Sequence, residues 1–437
     1  MDNEAAYRNK LTTAAEAVRL VPKKGYLSIG LRSATPPALC AALADRALAG
    51  EIEELKVYYM RCGNIAIKTI FQEALLDRIH PYSSMMTGDE VKLATKGFEL
   101  NKKYIHYVPI TFSRYANVIK KNIPLDVFMV TVSPMDKFGY FNFGLNGDYA
   151  IELARHAKKL IVEVNKQMPR VGGNTALHIS EVTAIVENHV SLAEEPSRPF
   201  SDLDKQIGAN LIDLIPHGAT IQMGIGGVPN AVCSMLTHHQ HLGIHTEVFT
   251  AGLKDLVEAG VVTNSQKTLN RYMNIFTFAI GDRKLYDFLD NNPSMGCYPA
   301  SYTNNPAIIA KNKNMISVNA FVELDLNGQV NAEFIGHQFS GVGGQLDFMR
   351  GAQLAEGGRS ILASSSTAAH ETVSRIVPRI HGITTDTRLD IDCVVTEYGR
   401  CDLIGKSTTE RALGLINIAH PKFRDELLAE AKKLHMV

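Results

Sequence analysis

The chain has 437 residues, long for one ordinary domain, and 45% of them are apolar against 21% charged, which excludes disorder as its organising principle. Lys plus Arg and Asp plus Glu each number 45, so no net charge draws it to nucleic acid or an anionic membrane. No window approaches 18 uninterrupted apolar residues, Met1 to Glu4 lack a signal-peptide pattern, and cysteines 40, 62, 233, 297, 393 and 401 have neither C-x-x-C nor zinc spacing. A soluble, cytoplasmic, metal-free α/β enzyme with reduced thiols is the expectation.

In chain order, Leu27–Ile29 is the first short apolar run, and Ala38–Ala49 follows with helical spacing. Val127–Val132, the helical stretch Tyr149–Lys158 and Leu160–Val164 come next. The apolar runs are too short for helices and too apolar for edge strands. They read as strands buried on both faces, and the helices between them predict mainly parallel sheets. Two prolines and exposed charge in Ser191–Pro199 mark a linker. The expected division is one α/β domain over 1–190, a linker over 191–204, and a second α/β domain over 205–437. Pro421–His435 closes the chain as a helix, with Phe423, Leu427, Leu428, Ala431 and Leu434 on one face.

The halves echo each other. Gly25, Pro36, Cys40 and Leu43 recur as Gly218, Pro229, Cys233 and Leu236, and Asp136, Gly139 and Asn142 recur as Asp325, Gly328 and Asn331. Two echoes in the same order suggest duplication of a whole domain rather than a solenoid. Duplicated α/β domains usually place a site at their strand ends.

Four stretches of the second half can carry chemistry. Ile221–Pro229 runs from a strand through Gly224, Ile225, Gly226, Gly227 and Val228 into a helix near Pro229. That arrangement presents backbone N–H groups to a phosphate or oxyanion; a tight turn without ligand is the plainer alternative. Because proline replaces the third glycine of G-x-G-x-x-G, the dinucleotide fingerprint is incomplete. In His245–Gly252, Glu247 is a carboxylate in an apolar strand context, so it must be paired or functional. Phe339–Phe348, with Gly341, Gly343 and Gly344, offers a second set of N–H groups for a developing oxyanion. Val394–Gly399 ends a strand at Glu397, which either meets substrate or caps a turn. Histidines 238, 239, 241 and 245 lack a completing pair for a metal, and no G-x-S-x-G occurs.

With these stretches, and with Val132–Gly139, Leu242–Glu247 and Leu415–Pro421, the chain resembles the acetyl-CoA hydrolase/transferase family, above all its 4-hydroxybutyrate and butyrate CoA-transferases. The resemblance runs through nearly the whole chain. It implies two tandem CoA-transferase-type α/β domains with the active site between them, and coenzyme A as co-substrate with no tightly bound cofactor or metal. It further implies Glu247 as nucleophile, Gly224–Val228, Asn319, Gly343 and Gly344 for CoA, and Glu397 on the substrate side. Partners would be an acyl-CoA, a carboxylic acid and further copies of the chain as a homo-oligomer, with no nucleic acid or membrane. One departure is Ala369, where relatives carry a lysine; His370 or Arg375 is the candidate replacement for any phosphate contact.

Arg32 and Arg61 stand in loops where monocarboxylate-using relatives have uncharged residues. An extra guanidinium suits a second carboxylate, so the expected acceptor is a dicarboxylate; the chain also resembles the itaconate CoA-transferase branch, which implies itaconate as acceptor with succinyl-CoA or acetyl-CoA as donor. Surface salt bridges are the competing role for these arginines. A 4-hydroxybutyrate or butyrate:acetate transferase, an acyl-CoA hydrolase and, more distantly, a nucleotide-dependent oxidoreductase or a non-catalytic CoA-binding protein are the alternatives.

Overall fold

A computed structural model describes residues 2–437. They form two compact units, one running through Glu195 and including Thr277–Tyr302, the other comprising Pro196–Phe276 and Thr303–Val437. The first boundary falls inside the segment read as a linker. The second unit is not the uninterrupted stretch from 205 onward that the sequence suggested, because residues 277–302 pack with the first. Their apolar residues, including Leu285, Tyr286, Leu289 and Cys297, are buried. Helix Asp202–Leu211 begins within the expected linker, where Ser201 and Asp204 cap each other reciprocally.

The first unit is built on seven parallel strands. Their order across the sheet is His106–Tyr107, Ile79–Ser83, Glu54–Tyr59, Lys24–Ile29, Val127–Val132, Lys159–Val164 and Ala184–Glu187. Every residue of Val127–Val132 is buried, Thr131 included, as its almost wholly apolar sequence requires of a central parallel strand. Chain order reverses at Lys24–Ile29, whose neighbours are Glu54–Tyr59 on one side and Val127–Val132 on the other. Such a reversal opens a crevice at the carboxyl ends of the strands.

The second unit carries six strands in the order Gly243–Ile244, Thr220–Met223, Met315–Asn319, Arg359–Ala363, Cys393–Thr396 and Gly399–Asp402. All pairs are parallel except the last hairpin. Chain order reverses at Thr220–Met223, so the glycine turn after it occupies the reversal point of its own sheet.

The echoed turns have the same construction in both units. Asp136 Oδ1 accepts from the Phe138 and Tyr140 N–H groups, and Asp325 Oδ1 accepts from those of Asn327 and Gln329. Gly139 and Gly328 take φ of 86° and 92°, where a side chain would be strained. Asn142 Oδ1 accepts from Gly144 N–H, and Asn331 Oδ1 from Glu333 and Phe334 N–H. Of the expected helices, Pro37–Leu48 and Pro421–Lys433 match closely, whereas Tyr149–Lys158 shortens to Ala150–Ala154.

Candidate active site

Glu247 lies on a bend just after the edge strand Gly243–Ile244, and a buried polar frame holds that strand. The Asn264 side chain accepts from Ile244 N–H at 2.9 Å. Lys267 Nζ donates to the carbonyls of Ile244 and Met273, each at 2.8 Å. Burial lowers the Lys267 pKa to about 7. His245, fully buried, places Nε2 2.8 Å from the Thr303 carbonyl. Burial, reinforced by Lys267, pushes this imidazole down to about 3. The ring is therefore neutral near pH 7, and its Nε2 must carry the proton, because a carbonyl can only accept.

The next residue after Thr303 completes the arrangement. Asn304 Nδ2 donates to Glu247 Oε2 at 2.6 Å. Gly344 caps helix Gln345–Leu354 at its N-terminus, and a Cβ added there would collide with both Glu247 Oε2 and Asn304 Nδ2. The φ of Gly344 is −103°, an ordinary value for any residue. Glycine is needed at this position for space, so that the carboxylate can lie against the start of the helix. A helix N-terminus is favourable ground for negative charge on oxygen. Gly343, beside it, takes φ of 55° and turns the chain into the helix.

The other glycine loop is built at the sheet's reversal point. Gly224 N–H bonds the Val318 carbonyl at 2.9 Å, Gly226 has φ of 140°, and the helix starts at Gly227, two residues before Pro229. Ile225 is half exposed, while Val228 is buried in the first turn. Asn319 exchanges amide hydrogen bonds with Gln222 at 3.1 Å in each direction and donates to Ser317 Oγ at 2.9 Å. Most of its polar capacity is thus spent inside the sheet.

Glu397 has its oxygens on Ser366, receiving the backbone N–H at 2.9 Å and the hydroxyl at 2.6 Å. That is the turn-capping arrangement. The residue also borders a cleft of about 430 Å³ lined by Leu203, Thr367, Ala369, His370 and Tyr398. Ala369 and His370, with φ of 49° and 54°, form a left-handed turn at its rim. Arg375 points its guanidinium at the carbonyls of Thr367 and Val322. His370 borders this cleft whereas Arg375 spends its donors on the backbone.

In the first unit, Arg32 and Arg61 follow the ends of adjacent parallel strands, and Arg32 N–H bonds the Arg61 carbonyl at 3.2 Å. Their guanidiniums meet on one atom. Arg61 Nη2 lies 3.0 Å from Glu195 Oε2, and Arg32 Nη2 pairs with the same oxygen. Both arginines have left-handed backbone, φ 45° and 53°.

Three participants escaped the sequence reading. Asn304 hides in Asn304-Asn305-Pro306, where Asn305 is the helix cap and Pro306 the first helical residue; the spare asparagine was the only signal. His245 stands in the sequence as one of four clustered histidines that lack a metal-completing pair, with no sign of a brace. Glu195 passed as ordinary linker charge.

Comparison with known proteins adds two family matches. Residues 1–193 match the acetyl-CoA hydrolase/transferase N-terminal domain, and residues 281–431 match its C-terminal domain. Glu247 lies between the matched stretches. The 4-hydroxybutyrate coenzyme A transferase of Clostridium kluyveri is 40% identical over 99% of this chain and 100% of its own length. Succinyl-CoA:cyclohexane-1-carboxylate CoA transferase of Geobacter metallireducens is 37% identical over 99% of this chain and 98% of its own. The crystal structure of RipA from Yersinia pestis superposes with a TM-score of 0.97 at 49% identity, covering all of both chains.

Proposed function

The chain belongs to the acetyl-CoA hydrolase/transferase family and is a CoA-transferase, and we propose that it works through a glutamyl-CoA thioester on Glu247 and prefers a dicarboxylate acceptor. The observation that carries the first part is the setting of the Glu247 carboxylate. It receives an amide N–H from Asn304 and lies against the glycine-capped start of a helix.

The reaction follows from what such a carboxylate can do. One Glu247 oxygen attacks the acyl-CoA thioester carbonyl, and the C–S bond breaks, giving an acyl-glutamyl anhydride and CoA thiolate. The thiolate attacks the glutamyl carbonyl, and the acyl group departs as its carboxylate, leaving a γ-glutamyl-CoA thioester. A second acid reverses these steps and leaves as its CoA ester. Two easier exchanges thus replace one hard one, with ping-pong kinetics. When thiolate adds to the glutamyl carbon, charge develops on the oxygen that Asn304 and the helix N-terminus face. Preorganised donors of this kind are worth about 3 kcal/mol of barrier each. The neutral His245 fixes the backbone next to Asn304, so the donor is in place before the charge arrives.

The dicarboxylate preference rests on the arginine pair. Two guanidiniums at adjacent strand ends converge on a single carboxylate oxygen, which is the geometry a distal carboxylate of an acceptor needs. Itaconate is the acid we favour, with succinyl-CoA as donor; the Geobacter relative is likewise named for a succinyl-CoA donor. The test is acid-dependent product analysis. Succinyl-CoA incubated with itaconate should give itaconyl-CoA and succinate in equal amounts. Free CoA accumulating at the same rate with and without acceptor would instead mean hydrolysis.

A further inference from the structure

The arginine pair is already filled by a carboxylate of its own chain. Glu195 lies in the stretch without helix or strand that precedes Asp202. It is held there by its N–H on the Gly281 carbonyl at 2.9 Å, while the nearby Ala193 carbonyl accepts from the Tyr286 hydroxyl at 2.7 Å. The side chain is therefore anchored by backbone contacts that do not depend on where its carboxylate points. Its withdrawal would unpair no strand and uncap no helix.

Two guanidiniums share Glu195 Oε2. Arg32, Arg61 and Glu195 side chains are 20%, 12% and 30% exposed, which leaves solvent a route to the carboxylate. Both arginines are held with left-handed backbone in loops joined to each other. The surrounding structure therefore fixes the pair, whereas the carboxylate comes from an irregular segment.

We propose that Glu195 is a specificity-determining residue: an internal carboxylate that keeps the two guanidiniums paired and that the distal carboxylate of a dicarboxylate acceptor displaces. This rests on the reading of Arg32 and Arg61 as acceptor-binding residues. Carboxylate for carboxylate, the exchange is close to balanced in hydrogen bonds and charge. A monocarboxylate has no second anionic group to offer and leaves Glu195 in place. A tethered competitor acts as if present at roughly millimolar concentration, so Glu195 raises the concentration of dicarboxylate needed for half-saturation.

Glu195→Gln in the full-length protein is the test, with acetyl-CoA as donor and succinate or butyrate as acceptor. The ratio of the succinate KM to the butyrate KM should fall about tenfold, as expected when a competitor of millimolar effective concentration is removed. Glu195→Asp, one methylene shorter and still charged, should give a smaller fall, and it serves if the glutamine variant folds poorly. An unchanged or increased ratio in these variants overturns the displacement role, provided Arg61→Met still weakens succinate selectively. If Arg61→Met affects succinate and butyrate equally, it is the acceptor-binding reading that fails, and the role of Glu195 fails with it.

Discussion

Glu247 in the second unit and Glu195 in the first are both half-buried carboxylates, yet they are held in different ways. Glu247 receives the Asn304 amide and sits against the start of a helix, whereas Glu195 gives one oxygen to two guanidiniums. An amide and a helix terminus orient an oxygen and support charge that develops on it. Full cations bind an anion and lower its reactivity. Under the proposed function, the same functional group serves chemistry in one place and recognition in the other. The surroundings make the difference, and each can be altered separately.

The largest effect should come from the proposed nucleophile. Glu247→Ala should lower kcat for transfer by more than about 10⁴-fold, as loss of a covalent nucleophile does, measured by chromatography of the CoA esters. Gly344→Ala comes next. Its φ suits alanine, but the new Cβ would strike Glu247 and Asn304. A fall of about 10²–10³-fold in kcat with an unchanged circular dichroism spectrum is expected, the size of a lost oxyanion donor. A variant as active as the wild type would show that the carboxylate need not occupy this place.

Arg61→Met sharpens the other half of the comparison. It should raise the KM for itaconate by roughly ten- to a hundredfold, the range for a lost charge-assisted hydrogen bond. Butyrate should change far less, and initial-rate assays with both acids decide the matter.

The smallest effect concerns the brace behind Glu247. Burial, reinforced by Lys267, pushes the His245 imidazole down to about 3 from an ordinary 6.5. Because its folded pKa lies below the unfolded one, protons favour the unfolded chain as pH falls from 6.5 towards 3, and stability is lost there. Buried Asp148 and Asp386, raised to about 6 and about 7, act in the opposite direction between their unfolded and folded values. The His245 contribution therefore shows only as a difference. His245→Gln, which can still donate to the Thr303 carbonyl, should melt with a shallower decline than the wild type between pH 6.5 and 4. Parallel melting curves would mean that His245 does not stay neutral.

How much of this was readable in the sequence depends on whether the signal is local. Val127–Val132 reads as a central strand because five of its six residues are apolar and the sixth, Thr131, is β-branched, and the D-x-x-G-x-x-N echoes foretold matching turns. Glu247 stood out as a carboxylate in an apolar run, and Gly344 as part of a dense glycine cluster. Asn304 was invisible, since its role depends on a fold that brings it to a residue 57 positions earlier. The return of residues 277–302 to the first unit was equally hidden, because each stretch looks like ordinary α/β sequence by itself. Arg32 and Arg61 were visible as arginines after strands, but their meeting at Glu195 joins residues 134 positions apart in the case of Arg61. Pairwise geometry of that kind leaves no periodic trace.

The most direct measurement is the intact mass of the protein after incubation with succinyl-CoA and then borohydride, with Glu247→Ala alongside. Reduction of a glutamyl thioester to the alcohol removes about 14 Da relative to the untreated chain, by the atom balance of the covalent intermediate. The account predicts that loss in the wild type and none in the variant. An unchanged wild-type mass under conditions of active transfer would contradict it, as would the same loss in Glu247→Ala.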